Sequence, residues 1–432
     1  VFTCKTCDNL CPIQTLIVGE NKTKYFFGGR CDQYANLRKR KKIDTDKVDN
    51  FVQLREQLLF KEYAPDAQAL QQRTRAVVGI PRAFTVYSLW PLYSWFFHDL
   101  GVRTRLSEKS VREGVQRAES AYCLPGEIAH GMTEELRRAE VDYYFMPHLL
   151  DMESMEEGTP ATLCPLTQGM PYYLRPAFDI PDSQILRPVI DFSSGYSSGS
   201  EPFIEIAERL GFSKEEGLRA FRVGMRQQLA FWERLHQVGA EVIERARGTD
   251  EVIVALFGRP YNAFAPEANM GIPRKLVTRG YRVIPYDFFP ISGEKISDNM
   301  YWYYGQQNLK AARQVKEHDN LYLAYISNFG CAPDSFMLHH VRWMMGTKPY
   351  LVLELDSHTA DAGVDTRIEA FLDIIQGYRE KAHEIHDRSF RQRYDVHLDG
   401  ARTYIEDKRS GERLSLKHPR VRLIWPSMGQ LS

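Results

Sequence analysis

The sequence predicts an α/β protein: two parallel-sheet lobes, a helical connector between them, and an N-terminal Cys-rich metal ribbon. Three observations carry this. Short apolar strands alternate with helical stretches in two separate regions, the pattern of a parallel sheet with helical crossovers. The region between them keeps helical periodicity throughout. Four of the seven cysteines fall within the first 31 residues.

Residues 1–42 form the ribbon. Thr15 to Glu20 and Thr23 to Gly29 read as strands around an Asn21-Lys22 turn, and Gly28-Gly29 precede Cys31. Residues 43–73 are a polar helical linker with Phe51, Leu54, Leu58 and Leu59 on one face. The first lobe spans 74–190. Its opening strand, Ala76 to Ile80, breaks at Pro81-Arg82 and leads to a helix over 83–100 and a strand from Arg103 to Leu106. Cys123-Leu124-Pro125 then opens a helix over Glu127 to Ala139, followed by a strand from Val141 to Met146.

The connector, 191–249, holds helices over Glu201 to Leu210 and Lys214 to Arg247. Leu218, Phe221, Met225, Leu229, Phe231 and Leu235 mark its apolar face. The second lobe, 250–375, has strands over Val252 to Phe257, Tyr281 to Ile284, Leu321 to Ile326 and Tyr350 to Leu355. Its helices begin near Pro273 and run over Ser335 to Met345 and Ile368 to His383. Residues 376–432 are a charged tail leading into a further domain. Both lobes open on a buried strand that breaks at a Gly/Pro/Arg loop, a weak internal echo.

A chain of 432 residues has room for two or three domains of ~100–200 residues each. Lys+Arg and Asp+Glu balance at 56 each, which argues against a nucleic-acid partner held by a basic surface. Tyr87 to Val102 is the most apolar run, but Pro91, His98 and Asp99 interrupt it, and it falls short of the ~20 residues a bilayer needs. No basic–apolar–small signal pattern is read in these residues, and the odd cysteine count leads us to expect ligand or catalytic thiols in a reducing cytoplasm. A first residue of Val and an incipient strand at Val421 to Trp425 point to a piece of a longer polypeptide.

The ribbon spacing is Cys4-x2-Cys7-x3-Cys11-x19-Cys31. Two thiolates two residues apart grip one metal from a single turn, and a hairpin returns the others to complete four-fold coordination. Zn2+ and a 4Fe-4S cluster both accept four thiolates, so spacing alone leaves the metal open. The remaining cysteines, Cys123, Cys164 and Cys331, are each closely followed by proline. Cys123 and Cys331 stand ahead of helices, at junctions where open α/β sheets place ligands and where helix N-termini favour thiolates. On spacing alone, three ordinary buried cysteines compete with a shared site. There is no phosphate loop, dinucleotide fingerprint or nucleophile elbow. His148, after Pro147, reads as cleft-facing or structural, and His339-His340 as helix surface or ligand.

The surrounding motifs resemble a known family. Cys123-Leu-Pro-Gly-Glu127-Ile-Ala-His130-Gly131, Cys164-Pro-Leu-Thr-Gln168-Gly-Met-Pro171-Tyr172 and Asn328-Phe-Gly-Cys331-Ala-Pro-Asp334-Ser335 are similar to the three cluster-ligand segments of the 2-hydroxyacyl-CoA dehydratase superfamily. Val78-Gly-Ile-Pro-Arg82, Gly258-Arg-Pro-Tyr-Asn262 with Gly271-Ile-Pro273, and the run Glu354 to Phe371 (ELDSHTADAGVDTRIEAF) point to one branch. Together they resemble the dehydratase-like region of large acyl-CoA dehydratase activase-related proteins, kin to double-cubane cluster proteins.

The resemblance implies Rossmann-like lobes and a 4Fe-4S cluster on Cys123, Cys164 and Cys331, single or part of a double cubane. One iron then keeps an exchangeable position. Arg82, Gln168, Arg259, Tyr261 and Asp334 stand beside the motifs and are the expected neighbours of the cluster. Cys4, Cys7, Cys11 and Cys31 would hold zinc or a second 4Fe-4S cluster. The implied function is a low-potential iron-sulfur redox module of an ATP-dependent reductase or radical acyl-CoA dehydratase system. Its implied partners are ATP-dependent activase domains, an acyl-CoA substrate and a second copy in a homodimer. The competing reading is a non-enzymatic zinc-stabilised α/β scaffold, or an electron relay serving an activase or dehydratase.

Overall fold

The computed structural model describes residues 1–5, 10–18, 23–27, 47–66, 76–120, 123–139, 141–156, 158–291, 300–388, 394–399 and 402–421. At the N-terminus β1 (Phe2–Thr3), β2 (Pro12–Val18) and β3 (Thr23–Phe27) form an antiparallel sheet in that order. Cys4 and Cys11 are buried with Ile13, and the Cys4 N–H donates to the Cys11 carbonyl at 2.8 Å. Cys7, Cys31, the Asn21-Lys22 turn and Gly28-Gly29 lie outside the described residues, as does the end of the predicted linker. The linker helix is α1 (Phe51–Gln57), which continues as a π-helical turn over Leu58–Glu62.

The first α/β region contains β4 (Val77–Ile80), α2 (Val86–Asp99), β5 (Arg103–Leu106), α3 (Arg112–Val115), α4 (Leu124–Arg138), β6 (Tyr143–Phe145), β7 (His148–Leu149), α5 (Pro165–Gln168), α6 (Met170–Ala177), β8 (Ile185–Leu186) and β9 (Val189–Ile190). Its four-stranded sheet runs β5-β4-β6-β8, all parallel. Pro147 and Pro188 have no N–H to give, so the ladder breaks there and resumes as the parallel pair β7-β9.

The connector is α7 (Glu201–Arg209) and α8 (Lys214–Ala246), the latter opened by a Ser213/Glu216 capping box. Phe221, Met225, Phe231 and Leu235 are buried as expected, whereas Leu229 is 48% exposed. Residues 229 and 231 sit about 200° apart on a helix, so one stripe cannot hold both. Small residues complete the buried face. A Cβ at Gly224 would meet the Leu92 carbonyl oxygen at 2.5 Å, so α8 and α2 approach backbone to backbone there. Pro91 breaks α2 at Leu89, and buried Gln228 fills the break. Its Nε2 donates to Ser88 O at 2.9 Å and its Oε1 accepts from Leu92 N at 3.4 Å.

The second α/β region holds β10 (Ile253–Phe257), α9 (Pro260–Ala263), α10 (Ile272–Val277), β11 (Arg282–Pro285), α11 (Tyr303–Glu317), β12 (Leu321–Asn328), α12 (Ala332–Met345), β13 (Tyr350–Leu355) and α13 (Asp361–Arg388). Its sheet runs β11-β10-β12-β13, all parallel. β10 and β12 are buried along their whole length, as strands covered on both faces must be. Both sheets share one order: second, first, third, fourth. β4 and β10 take the same place in it, which gives the internal echo a structural counterpart.

The chain divides into two compact units, Val1–Gly346 with Tyr350–Phe371, and Thr347–Pro349 with Leu372–Ser432. The second unit carries the antiparallel strands β14 (Tyr394–Asp399), β15 (Arg402–Asp407) and β16 (Arg413–Ser415). The architecture is mixed α/β with several parallel sheets and, among the described residues, thirteen α-helices. No described helix is long and apolar enough to cross a membrane.

Candidate functional site

Each of the three scattered cysteines is the N-cap of a helix, Cys123 of α4, Cys164 of α5 and Cys331 of α12, with proline in the first turn. The Cys-Pro habit of the sequence thus has a cause. Proline lacks the N–H that a helix start leaves unpaired anyway, and its fixed φ sets the turn. Each cap residue has a non-helical backbone, and the Cys331 sulfur also accepts from the Asp334 N–H of its own first turn at 3.5 Å.

The second sheet supplies the groups between them. Gly258, at φ +130°, turns the chain at the end of β10, where any Cβ would collide with the Ile326 carbonyl. That turn throws Arg259 inward, and its Nη2 donates to Cys331 Sγ at 2.8 Å and pairs with Asp334 at 3.2 Å. Ser327 and Tyr325 hydroxyls donate to the same carboxylate at 2.6 and 3.2 Å. Arg259 Nη1 donates to the Tyr261 hydroxyl, which also accepts from Thr167 Oγ1, three residues beyond Cys164. Asn328 Nδ2 reaches Cys123 Sγ at 3.8 Å. Arg259 is within electrostatic reach of all three thiols.

Electrostatics corrects one expectation. Burial pushes the Cys123 and Cys331 thiols above their ordinary range, and the Arg259 guanidinium only partly opposes it. The helix starts therefore do not by themselves make thiolates here; desolvation outweighs them. For Arg259, burial favours the neutral form, but Asp334 outweighs it and holds the charge.

Of the expected neighbours, Arg259, Tyr261 and Asp334 gather at the thiols. Gln168 ties its own turn, donating to Leu163 O at 2.7 Å. Arg82 lies apart, paired with Glu56 at 2.6 Å and stacked over Phe60 at 4.2 Å. Just after it, Phe84 adopts φ +46°, a strained value for an aromatic residue, and packs edge-on against Tyr261 at 5.2 Å. Sequence reasoning missed Tyr325, Ser327 and Thr167. The available signal was polar residues at the carboxyl end of an otherwise apolar strand, in Tyr325-Ile-Ser-Asn328. His148 bonds Tyr172 through Nδ1 at 2.9 Å, and His339 is exposed on α12.

Beside Cys123 opens a cavity of about 600 Å³, walled by α4, α6 and residues 117–120. Among the described residues, no three His, Cys, Asp or Glu side chains are grouped to hold a metal ion.

Parallel sheets, cysteines at their helix junctions and a buried arginine among them define a mixed α/β protein with a polar centre at the thiols. Residues 77–289, just under half the chain, match the family model described as "CoA enzyme activase uncharacterised domain". The match links this region, with Cys123 and Cys164, to CoA enzyme activases, and ends before Cys331. A search of curated proteins returned no match. Among solved structures, the chain is similar to ZnuA at 12% identity over 70% of this chain and 98% of that one, TM-score 0.18. A manganese-bound periplasmic metal-binding protein from Candidatus Liberibacter asiaticus shares 10% identity over 70% and 99%, TM-score 0.23. Glucosamine-6-phosphate deaminase from Thermotoga maritima shares 12% over 77% and 93%, TM-score 0.18. These scores are too low to establish a common fold.

Proposed function

We propose that the chain is a low-potential iron-sulfur redox module of an activase-linked system, with a 4Fe-4S cluster held by Cys123, Cys164 and Cys331 between two Rossmann-like lobes. The observation that carries this reading is Arg259, buried, charged and donating to Cys331 Sγ while within reach of the other two thiols. The donor set fits the group. Three helix-capping thiols come from three segments, Asn328 offers a second donor to sulfur, and the buried Arg259 Nε has no hydrogen-bond partner among the described residues. A cube spreads its thiolates wider than a single ion does, so the want of an ion-sized group is compatible with it.

When bound, such a cluster supplies one-electron transfer, with one iron left substitutable. The chain's own residues do the rest. Arg259 offsets thiolate charge, Asp334 keeps Arg259 in place, and Tyr325 and Ser327 fix Asp334. Taking up the group deprotonates thiols that burial holds protonated, so uptake releases protons. The same reading includes ATP-dependent activase domains as electron donors, an acyl-CoA thioester as one substrate class, a homodimer, and a cytoplasmic setting. Cys4, Cys7, Cys11 and Cys31 would form a separate zinc or 4Fe-4S site, of which Cys4 and Cys11 lie together in the buried cluster of the ribbon.

Anaerobic purification with iron, sulfide and zinc analysis tests this. About four irons or more per chain are expected. The Cys331→Ser variant should lose that iron and its reduced-state EPR signal. Zinc alone, or an unchanged signal in Cys331→Ser, would overturn the reading.

A further inference from the structure

We propose that the cavity beside Cys123 binds a small amine, its ammonium held between the Glu127 carboxylate and His130 Nε2, its apolar body against Leu166, Tyr173 and Pro176. Cys123, Glu127 and His130 fall at i, i+4 and i+7 around α4, on one helix face, and all three line the cavity. Its volume, about 600 Å³, is that of a small-molecule chamber.

The wall chemistry sets the class of ligand. His130 Nδ1 lies 2.8 Å from the Gly126 carbonyl, which can only accept, so Nδ1 carries the proton and Nε2 the lone pair. Burial also lowers the pKa of this imidazole, keeping Nε2 an acceptor. Glu127 is 8% exposed, and its carboxylate meets no protein donor among the described residues. Of the other polar groups on the walls, Arg117, Glu119 and Ser120 are solvent-exposed, and the Tyr173 hydroxyl donates to the Leu166 carbonyl at 3.1 Å. Arg117 donates to the Ala177 carbonyl at 2.8 Å and stacks over Phe178, and the Tyr172 hydroxyl is bonded to His148. Among the buried side chains of the walls, what remains unspent is two acceptors, the Glu127 carboxylate and His130 Nε2. A ligand bringing donors and positive charge satisfies both, whereas a carboxylate or phosphate placed between them, away from exposed Arg117, meets the Glu127 charge and finds no donor. The apolar wall is flat, since His130 stacks on Tyr173 at 5.6 Å and 19°.

The binding class stands on the cavity alone. Only its role as a substrate chamber rests on the redox reading. The experiment titrates the anaerobically purified full chain with benzylamine, benzyl alcohol and benzoate, following heat and the His130 Cε1–H NMR signal. Benzylamine should bind about ten- to hundredfold tighter than benzyl alcohol, with benzoate showing no binding. The near-isosteric Glu127→Gln variant should lose that preference while keeping its Tm and its benzyl alcohol affinity. Benzoate binding as well as benzylamine, an unmoved His130 signal, or an unchanged preference in Glu127→Gln would overturn the proposal. These readouts do not depend on iron, so they fail separately from the Cys331→Ser test.

Discussion

Arg259 is 3% exposed and Asp334 1% exposed, so each charge survives in the interior because the other is there. Removing one partner strands the other. Arg259→Met should destabilise the protein by about 3–5 kcal/mol in urea melts, and adding Asp334→Asn should recover much of the loss. Full additivity of the two variants would show the pair to be uncoupled. Glu134 is a buried carboxylate on α4, 2% exposed, covered by two half-exposed arginines. Its carboxylate takes three bonds from Arg137 and Arg138, which lower its pKa to about 2 against the resistance of burial. A depressed carboxylate stabilises the fold above its unfolded pKa, and that stability is lost as pH falls from about 4.5 through 2. Both arginines are half exposed, so screening holds the effect to about 1–2 kcal/mol. Glu134→Gln should therefore flatten the acid limb of a stability–pH curve and leave the neutral value lower.

At the scale of elements, α2 and α8 meet where both depart from the ideal helix. Pro91 leaves the Tyr87 carbonyl without its helical donor, and Arg55 Nη2 donates to it at 2.9 Å. Gln228 serves the next pair, Ser88 O and Leu92 N. The broken helix is thus repaired by side chains from two other elements. Gly224 lets α8 come close enough to do this, and a Cβ there would press on Leu92 O. Gly224→Ala should cost about 1–3 kcal/mol despite its higher helix propensity, measured by thermal or urea unfolding. A stabilised Gly224→Ala protein would show that the helices separate freely. A further acid–base set joins α10 to α13. Lys275 and Arg279, one turn apart, meet Asp361, Asp365 and Glu369 along the first turns of α13. This gives the acidic residues of the Glu354-to-Phe371 motif a structural task.

For the whole molecule, the decisive feature is where the three thiols come from. Cys123 and Cys164 belong to the first α/β region and Cys331 to the second. A group held by all three ties the two sheets together, and whatever binds only the folded state stabilises it by mass action. Protein carrying iron should therefore melt several degrees above the same protein stripped of it, in one calorimetric transition. Cys331→Ser should show no such difference. Equal melting temperatures for loaded and stripped wild-type protein would place the iron away from this junction.

The sequence by itself determined the α/β class, three strands of the first parallel sheet, all four of the second, and the cysteine–proline junctions, because strand periodicity and proline placement are local properties. The two-residue strands Ile185–Leu186, His148–Leu149 and Val189–Ile190 and the last three strands, β14 to β16, were not read. Val252 to Phe257 and Leu321 to Ile326 were legible as buried runs, Tyr350 to Leu355 as a strand, and Lys214 to Arg247 as one long helix, each within two residues of the observed element. Only the tertiary structure decided which polar residues share a site. Arg82 and Arg259 look alike in sequence, each at the end of an opening strand beside a proline, yet one pairs with Glu56 at α1 and the other with Cys331 and Asp334. The direction of the Cys123 and Cys331 thiol shifts was likewise hidden, since it depends on how much water the assembled lobes exclude. Glu127 and His130 were visible as letters in a motif. That both face one cavity follows from α4 packing against α6, a contact between residues far apart in the chain, which no local pattern encodes.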